Sequence, residues 1–342
     1  MRFVSFALAY FMFFLTIYIL STASSFFIPL AISFVGSYLI ITLAEGIRKY
    51  RVFGKRIPAF IAFITSLLVL GLGAYFIFII IEKNVYDLIE RAPMYQDRLN
   101  ALVNKISTEY HLNFSDLTNF FKRFDLTDIF REILLVVTQI VGNTGIILVY
   151  ILFILIEYGF YESKLKALFP EHEHQQKVRK ITHGIASQIQ SYLRIKTWIS
   201  LLTGAFSYIV LKIVGVDFAE FWGMLIFLLN FIPTIGSIIA TIFPCVIAFI
   251  QFESIVPFIV VTSVLTSIQL ILGNIVEPRI MGSQFNLSPL VILLSLIIWG
   301  KIWGIIGVFL CVPLLMIINI ILANFAVTRP VVVLLSKNGK VE

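Results

Sequence analysis

The sequence predicts an all-α integral membrane protein with about eight transmembrane helices and two broken or re-entrant helical hairpins in the C-terminal half. Hydrophobic residues make up 59% of the 342 positions and charged residues only 13%. Soluble domains have about 45–50% apolar and about 25% charged residues. The apolar residues also come in runs of about 18 or more, the length needed to cross roughly 30 Å of hydrocarbon. Lipid is therefore the solvent for most of the chain.

Eight apolar runs are candidates for the membrane-crossing segments. They cover residues 3–20, 26–45, 58–81, 134–158, 197–214, 218–250, 255–276 and 287–325. The last three runs include two that are too long for a single perpendicular crossing, because a helix rises 1.5 Å per residue and 287–325 would span about 58 Å. We expect these long runs to break.

The distribution of charge predicts the orientation in the membrane. Residues 46–56 contain five Lys or Arg and no acid, and residues 161–196 contain seven Lys or Arg against three Glu. Residues 82–133 contain seven basic and nine acidic residues. Because cytoplasmic loops carry an excess of Lys and Arg, the first two segments are expected inside and the third outside. Both termini are then cytoplasmic, and the expected location is the bacterial cytoplasmic membrane.

The runs and polar segments divide the chain into six regions. The prediction is N-terminal transmembrane helices in 1–81, a helical extracytoplasmic insertion in 82–133, a transmembrane helix in 134–160, a cytoplasmic amphipathic helix in 161–196, a C-terminal transport region with hairpins in 197–326, and a cytoplasmic tail in 327–342. Within the amphipathic region the chain is expected to break at Pro170.

The insertion carries an apolar stripe at helical spacing and two N-cap candidates. The stripe consists of Leu99, Leu102, Val103, Ile106 and Tyr110, and the cap candidates are Ser115 and Asp125. The insertion is either a lid or spacer whose stripe packs on itself or a contact between subunits of an oligomer. The sequence leaves both open.

Several functional classes are excluded by composition and motifs. The net charge of +7 is collected in short stretches between apolar runs, which indicates membrane orientation and not nucleic-acid binding. Cys245 and Cys311 both lie inside apolar runs, and His172 and His174 are too close in sequence to share one helix face, so no metal site is expected. A phosphate-binding G-x-x-x-x-G-K-[ST] loop is absent, and no catalytic constellation stands out. We therefore expect no cofactor and no enzymatic activity.

Helix-breaking residues mark the two long runs. Asn230, Pro233 and Gly236 interrupt 218–250 in the stretch NFIPTIG, and Gly300, Lys301 and Gly304 interrupt 287–325 in WGKIWG. Non-helical backbone at membrane depth occurs only where protein or a water-filled cavity satisfies it. The stretches IGSIIATIFPCV and WGIIGVFLCVP that follow also look alike. Paired, interrupted apolar segments of this kind point to a transporter binding site built from internal repeats.

A polar stripe is predicted on the helix between the two broken runs. On an ideal helix Ser263, Ser267, Asn274 and Glu277 follow one face, and Gln269 lies off it. A charge at the centre of a bilayer costs roughly 2.5–3.5 kcal/mol. Glu277 and Arg279 must therefore lie near an interface, face a cavity, or pair with each other or with another charge such as Lys301. The alternative is that these polar residues only join helices.

Three motifs resemble a known family. LNFIPTIG contains Pro233 and Gly236, NIVEPRIMG contains Glu277 and Pro278 and is followed by Pro289, and GIIGVFLCVP ends at Pro313. They are similar to the AI-2E family, the autoinducer-2 exporters. The resemblance implies an eight-helix permease, oligomeric, with members assigned to autoinducer-2 export or to sodium/proton antiport. Two departures are Ser288, where the family tends to have His, and Lys301, where it usually has a Gly-rich turn.

The leading functional expectation is a secondary transporter that moves a small solute, such as autoinducer-2, by alternating access without ATP. The alternatives are a sodium/proton antiporter or ion channel that uses Glu277, and a non-transporting envelope scaffold. The expected partners are the solute or ion, the lipid bilayer and further copies of the chain, and no nucleic acid. The predicted pathway residues are Asn230, Pro233, Gly236, Gln269, Asn274, Glu277, Pro278, Arg279, Pro289, Lys301 and Gly304.

The sequence also leaves the topology of the long runs open. If 218–250 and 287–325 each cross once, Glu277 lies near the outer face. If both are re-entrant hairpins, Glu277 lies near the inner face.

Overall fold

The structure, a computed structural model, describes residues 2–49, 51–52, 55–109, 131, 135, 138, 142–282 and 286–339. The helices are α1 (Arg2–Thr22), α2 (Ser24–Lys49), α3 (Ala59–Glu109), α4 (Thr144–Leu168), α5 (His172–Val214), α6 (Ala219–Leu229), α7 (Ile235–Phe252), α8 (Ile255–Gln269), a π-helix (Leu270–Val276), α9 (Glu277–Met281), α10 (Pro289–Ala323) and α11 (Arg329–Leu335). The only strands in these ranges are β1 (Arg51–Val52) and β2 (Lys55–Arg56), an antiparallel pair in the basic loop.

The all-α membrane fold is confirmed. Within the described ranges, seven helical segments are long and apolar enough to cross a membrane, and α1 and α6 contain shorter apolar helices. The count of eight transmembrane helices remains a prediction. The break at Pro170 is also found, because α4 ends at Leu168 and α5 begins at His172. The helix α5 then continues without interruption through residue 196, where the cytoplasmic segment was expected to end.

The chain forms two compact units. Unit 1 comprises Met1–Leu67, Asn143–Arg194 and Gly282–Glu342. In it α2 packs against α4, and α10 packs against α1, α2 and α11. Two polar contacts tie these helices: the buried Ser33 hydroxyl donates to the Ile147 carbonyl over 3.1 Å, and the Trp303 indole N–H donates to the Leu20 carbonyl over 3.0 Å. Such bonds join membrane helices where apolar packing alone gives little driving force.

Unit 2 comprises Leu68–Gly142 and Ile195–Met281. Its core includes one face of the arm, which we define as residues 82–109, the part of α3 beyond the apolar run 58–81. The buried positions on this side of α3 are Ile81, Val85, Leu88, Ala92, Tyr95 and Leu99, and they share a core with Leu211, Val216, Phe221, Trp222, Ile247 and Ile250. Of the predicted stripe, Leu99 lies in this core with residues of α5, α6 and α7. Tyr110, Ser115, Asp125 and the side chains of Val103 and Ile106 lie outside the described residues.

The apolar run 218–250 folds back as hairpin 1, which consists of α6 and α7 (219–252). These two helices pack against each other, and five residues connect them. Thr234 in the connection has a left-handed φ of 58°, and a Cβ at Gly236 would lie 1.9 Å from the Leu229 carbonyl oxygen. Only glycine permits so close an approach of the second helix to the end of the first. The break predicted around Asn230, Pro233 and Gly236 is confirmed.

The run 287–325 also folds back, as hairpin 2 (289–323). The backbone leaves the helical region at Gly304, with φ 63° and ψ −145°. The Ser295 hydroxyl then lies 3.3 Å from the Cys311 carbonyl oxygen, although sixteen residues of continuous helix would separate them by about 24 Å. As in hairpin 1, a glycine closes the tip: a Cβ at Gly307 would lie 2.0 Å from the Trp299 carbonyl oxygen. The two runs share this geometry, while descent from one internal repeat remains a prediction.

Candidate functional site

A close helix crossing in unit 2 brings α5 against the first helix of hairpin 1. A Cβ at Gly204 would lie 2.7 Å from the Gly223 carbonyl oxygen, and one at Gly223 would lie 2.6 Å from the Tyr208 Cβ. Small residues at such crossings let two membrane helices approach closely. The crossing fixes the register of α5 against α6. It therefore sets which α5 residues meet the hairpin tip.

At that tip Asn230 is hydrogen-bonded across the helices. Its side-chain Nδ2 donates to the Ser200 hydroxyl oxygen over 3.0 Å, and the two residues are 4% and 0% exposed. Asn230 follows directly after the last residue of α6, so its position depends on where the helix breaks. The tip of hairpin 1 is thus held to the middle of α5 by a buried polar contact.

One helical turn earlier on α5, a buried ion pair joins it to the end of the π-helix. The Lys196 ammonium lies 2.6 Å from Glu277 Oε1, and the two side chains are 7% and 15% exposed. Charges in an apolar environment persist only when they are paired. The partner of Glu277 is therefore Lys196, whereas the sequence suggested Arg279 or Lys301. Those two residues are both exposed.

These contacts belong to a polar face of α5 that sequence reasoning missed. Its buried members are Lys196, Ser200, Thr203 and Ser207, which follow i, i+4, i+7 and i+11. Thr203 bonds its own helix through the Ile199 carbonyl, while Lys196 and Ser200 reach other helices. The signal was present as polar residues at helical spacing in the apolar run 197–214. It was hidden because Lys196 was assigned to the preceding cytoplasmic segment.

The predicted stripe from Ser263 to Glu277 does not continue along one face. The π-helix Leu270–Val276 lies between its two ends, and i→i+5 bonding puts more residues in each turn than an α-helix has. Ser263, Ser267 and Asn274 are exposed, while Glu277 turns toward Lys196. The prediction that these residues share one face assumed an uninterrupted α-helix, and it was wrong for this reason.

Gln269, directly before the π-helix, has a buried amide without a hydrogen-bond partner among the described residues. Both its Nε2 and its Oε1 are inaccessible to solvent, and neither makes a hydrogen bond within the described residues. An unsatisfied buried amide costs free energy and calls for an explanation. Single-turn π-helical segments are frequent at functional sites. Gln269 therefore stays a predicted pathway residue, and its buried amide is a feature that the proposed function must explain.

Similarity to known proteins shows which family this chain belongs to. The profile described as AI-2E family transporter matches residues 6–326. The chain belongs to the AI-2E transporter family. A Borreliella burgdorferi protein named "Putative transport protein" is 30% identical over 309 residues, which cover 88% of this chain and 82% of that protein. The AI-2 transport protein TqsA of Escherichia coli K12 is 40% identical over 172 residues, which cover 48% of this chain and 50% of TqsA. The protein is thus a multi-pass membrane transporter.

The structure of this AI-2E family member distributes the sequence-predicted pathway residues over both units. In unit 2, Asn230, Pro233 and Gly236 form the tip of hairpin 1. Pro278 and Asn274 are exposed beside the Glu277 ion pair. In unit 1, three predicted pathway residues lie in hairpin 2. Pro289 is its first residue, Lys301 is exposed, and the helix breaks at Gly304. Their role in a transport pathway remains a prediction.

The described residues offer no obvious metal site. In the part of the chain that the structure describes, no group of three or more His, Cys, Asp or Glu is placed to hold a metal ion.

The orphaned amide of Gln269 leads to a prediction about stability. In Gln269→Leu, a side chain of similar size without polar atoms replaces the unpaired amide, so we expect the ligand-free protein to become more stable. A buried polar group without a hydrogen-bond partner costs about 1–3 kcal/mol of folding free energy, and the substitution removes this cost. The check is the thermal unfolding midpoint in detergent, which should rise, together with solute flux, which should fall. A lower midpoint would show that the amide has a structural partner.

Proposed function

We propose that this AI-2E transporter is a secondary transporter that moves a small, uncharged, hydroxyl-bearing solute through a site in unit 2, without ATP and by alternating access. The observation that carries the proposal is the buried Lys196–Glu277 ion pair next to the Ser200–Asn230 hydrogen bond. Autoinducer-2 is the first solute to test, because the related TqsA bears its name. Export from the cytoplasm is the expected direction.

The depth of the site supports transport over a purely structural role. Hairpin 1 begins and ends beside the arm, so its tip at Asn230 lies about 16 Å from the arm side after eleven residues of helix. Ser200 lies fourteen residues before the end of α5 at Val214, or about 21 Å from the same side. Roughly half of a 30 Å hydrocarbon layer therefore separates the hydrogen-bonded Ser200 and Asn230 from each face of the membrane. Transporter sites lie near the bilayer midplane at such breaks.

The orientation follows from the same geometry together with the charge rule. If the arm is extracytoplasmic, α5 and α8 both run between the faces, and the Lys196–Glu277 pair lies on the cytoplasmic side of Asn230. Both long runs fold back as hairpins, which corresponds to the topology with Glu277 near the inner face. The ion pair would then be the first polar contact that a solute meets on its way from the cytoplasm.

The hydrogen-bond inventory supports an uncharged, hydroxyl-bearing solute. Lys196 and Glu277 neutralise each other, so the site has no net charge that would favour an ion. Within the described residues, Lys196 donates only to Glu277, and the Gln269 amide neither donates nor accepts. An ammonium has three N–H donors, and an amide has two donors and an acceptor. A hydroxyl group both donates and accepts, so a molecule with several hydroxyls satisfies such a mixed set.

One observation favours a second candidate, the sodium/proton antiporter. A buried carboxylate whose only described partner is a lysine could release that lysine and bind a proton or a sodium ion instead. In this case Glu277 binds the transported ion. The two functions differ in what crosses the membrane, so one assay separates them.

The test is flux through purified protein in liposomes. Autoinducer-2 release is followed in parallel with internal pH under an imposed sodium gradient. Solute release without sodium-driven proton movement supports the proposal. Proton movement that requires sodium, without solute release, replaces it with the antiporter. Neither flux, in protein that remains folded and inserted, argues against both and favours the scaffold.

Asn230→Ala tests the site itself. The substitution removes the amide that joins the tip of hairpin 1 to Ser200, and a buried hydrogen bond of this kind contributes about 0.5–1.5 kcal/mol. We expect solute flux to fall about tenfold or more while the thermal midpoint changes little. The matched control is Asn84→Ala, because the Asn84 amide bonds, among the described residues, only the Ile80 carbonyl of its own helix. Equal flux in both variants would remove Asn230 from the pathway.

A further inference from the structure

A network of polar contacts closes the base of hairpin 1. The Gln251 side chain at the end of α7 accepts from the Asp217 backbone N–H over 2.7 Å and donates to the Gly215 carbonyl over 2.9 Å. The Trp222 indole N–H donates to the Asp217 carbonyl over 3.0 Å. The chain that enters the hairpin is thereby bonded to the chain that leaves it. We call this set of contacts the base clasp.

The arm is bonded to the base clasp at both ends of the hairpin. The Tyr95 hydroxyl, on a fully buried side chain, donates to Asp217 Oδ2 over 2.7 Å. Arg98 Nη1 donates to the Gln251 carbonyl over 3.4 Å, and Arg91 lies 3.9 Å from Asp217 Oδ2. Three arm residues on successive helical turns thus contact the segment directly before α6 and the end of α7.

The apolar contact between the arm and the hairpin follows a regular spacing. The buried arm positions Val85, Leu88, Ala92, Tyr95 and Leu99 alternate three and four residues apart, the spacing of a coiled-coil seam. Residues of both hairpin helices lie in the same core, including Trp222 and Ile247. Side chains at this spacing hold two elements in one register, so the arm can hardly slide along the hairpin.

Backbone strain is concentrated at the two ends of hairpin 1. Phe218, directly before α6, has a φ of 59°, and Glu253, directly after α7, has a φ of 49°. Non-glycine residues adopt the left-handed region at a cost and keep it only where the surroundings hold them. The Arg91 guanidinium, 5.5 Å above the Phe218 ring, is one such constraint. The base is therefore held in one conformation by the arm.

We propose that the arm is the positioning element of hairpin 1, and that Tyr95 and Asp217 are its positioning residues. The arm fixes the base of the hairpin, and the two packed helices carry that position over about 16 Å to Asn230 at the tip. This role differs from a lid, a spacer or a subunit contact. It rests on the proposed function only in that Asn230 binds the solute.

Hydrogen exchange in lipid nanodiscs tests the mechanical part without a transport assay. Tyr95→Phe removes one hydroxyl and leaves the apolar seam intact. A hydrogen bond to a charged group corresponds to about a tenfold or larger shift in a local equilibrium, so backbone amides in 228–236 should exchange about tenfold faster. Amides of α8 should be unchanged. Tyr86→Phe is the matched control, because Tyr86 is on the same arm and 58% exposed.

Unchanged exchange at the tip in both Tyr95→Phe and Asp217→Asn would overturn the inference. Equally faster exchange throughout unit 2 in these variants would overturn it as well, and so would an equal increase at the tip in Tyr86→Phe. Flux measurements then connect the tip to transport, since a displaced Asn230 should raise the KM for the solute about tenfold with a smaller change in the maximal rate. If wild-type protein shows no flux, the proposed function fails. The exchange result still decides the positioning role.

Discussion

Glu277→Gln is expected to abolish solute flux and to lower the stability of the folded protein. The change leaves Lys196, which is 5% exposed, as an uncompensated charge in an apolar environment. Removing one partner of a buried ion pair costs about 3–5 kcal/mol. Flux in liposomes and the thermal midpoint in detergent measure the two effects separately. We expect both to change, because the pair joins α5 to the end of the π-helix and also forms part of the proposed site.

Two further variants separate stability from function. Glu220→Gln is the matched control, since it breaks the exposed ion pair with Lys212, and exposed pairs contribute only about 0–1 kcal/mol. The double variant Lys196→Met, Glu277→Gln removes the stranded charge, so it should regain most of the lost stability and still show no flux. Normal flux in the double variant would mean that the ion pair is structural and that the solute binds elsewhere.

Much of the architecture was predictable because lipid imposes strict rules on sequence. A predominantly apolar run of 39 residues from 287 to 325 cannot cross once as a straight perpendicular helix, and proline and glycine inside the long runs mark where the backbone leaves the helix. The breaks near Asn230 and Gly304 follow from length and residue type alone. The fold-back direction does not, since it depends on contacts such as Ser295 with Cys311.

The site was only partly predictable because its members come from distant segments. Asn230 and Glu277 were recognisable beside helix breaks, yet their partners Ser200 and Lys196 lie 30 and 81 residues earlier. Sequence spacing cannot show contacts made by tertiary packing. The π-helix adds a second obstacle, because it changes the register of Glu277 relative to Ser267 without any residue that breaks a helix at its start.

Each of the two units contains a helical hairpin with a glycine at its tip. Each contains a hairpin whose second helix begins against a backbone carbonyl of the first, at Gly236 in one and at Gly307 in the other. Each hairpin is also tied by a tryptophan indole to a backbone carbonyl, from Trp222 to Asp217 and from Trp303 to Leu20. The two hairpins therefore share both the close contact at the tip and the tryptophan hydrogen bond to a backbone carbonyl.

Gly236→Ala should disable the transporter through backbone displacement alone. The added Cβ would lie 1.9 Å from the Leu229 carbonyl oxygen and 2.7 Å from the Ile232 Cβ, so the start of α7 must move away from the end of α6. Overpacking of this kind costs about 1–3 kcal/mol or more, and Asn230 lies within the displaced tip. We expect a lower thermal midpoint and at least a tenfold loss of flux.

Gly71→Ala provides the comparison for this variant. A Cβ at Gly71 would meet no atom within 4 Å, and Gly71 lies inside α3, so alanine there should stabilise the helix by about 0.5–1 kcal/mol. Gly307→Ala makes the same change in hairpin 2, with a Cβ 2.0 Å from the Trp299 carbonyl oxygen. If Gly236→Ala removes flux and Gly307→Ala does not, transport depends on hairpin 1 alone. If neither does, the solute pathway runs through neither hairpin tip.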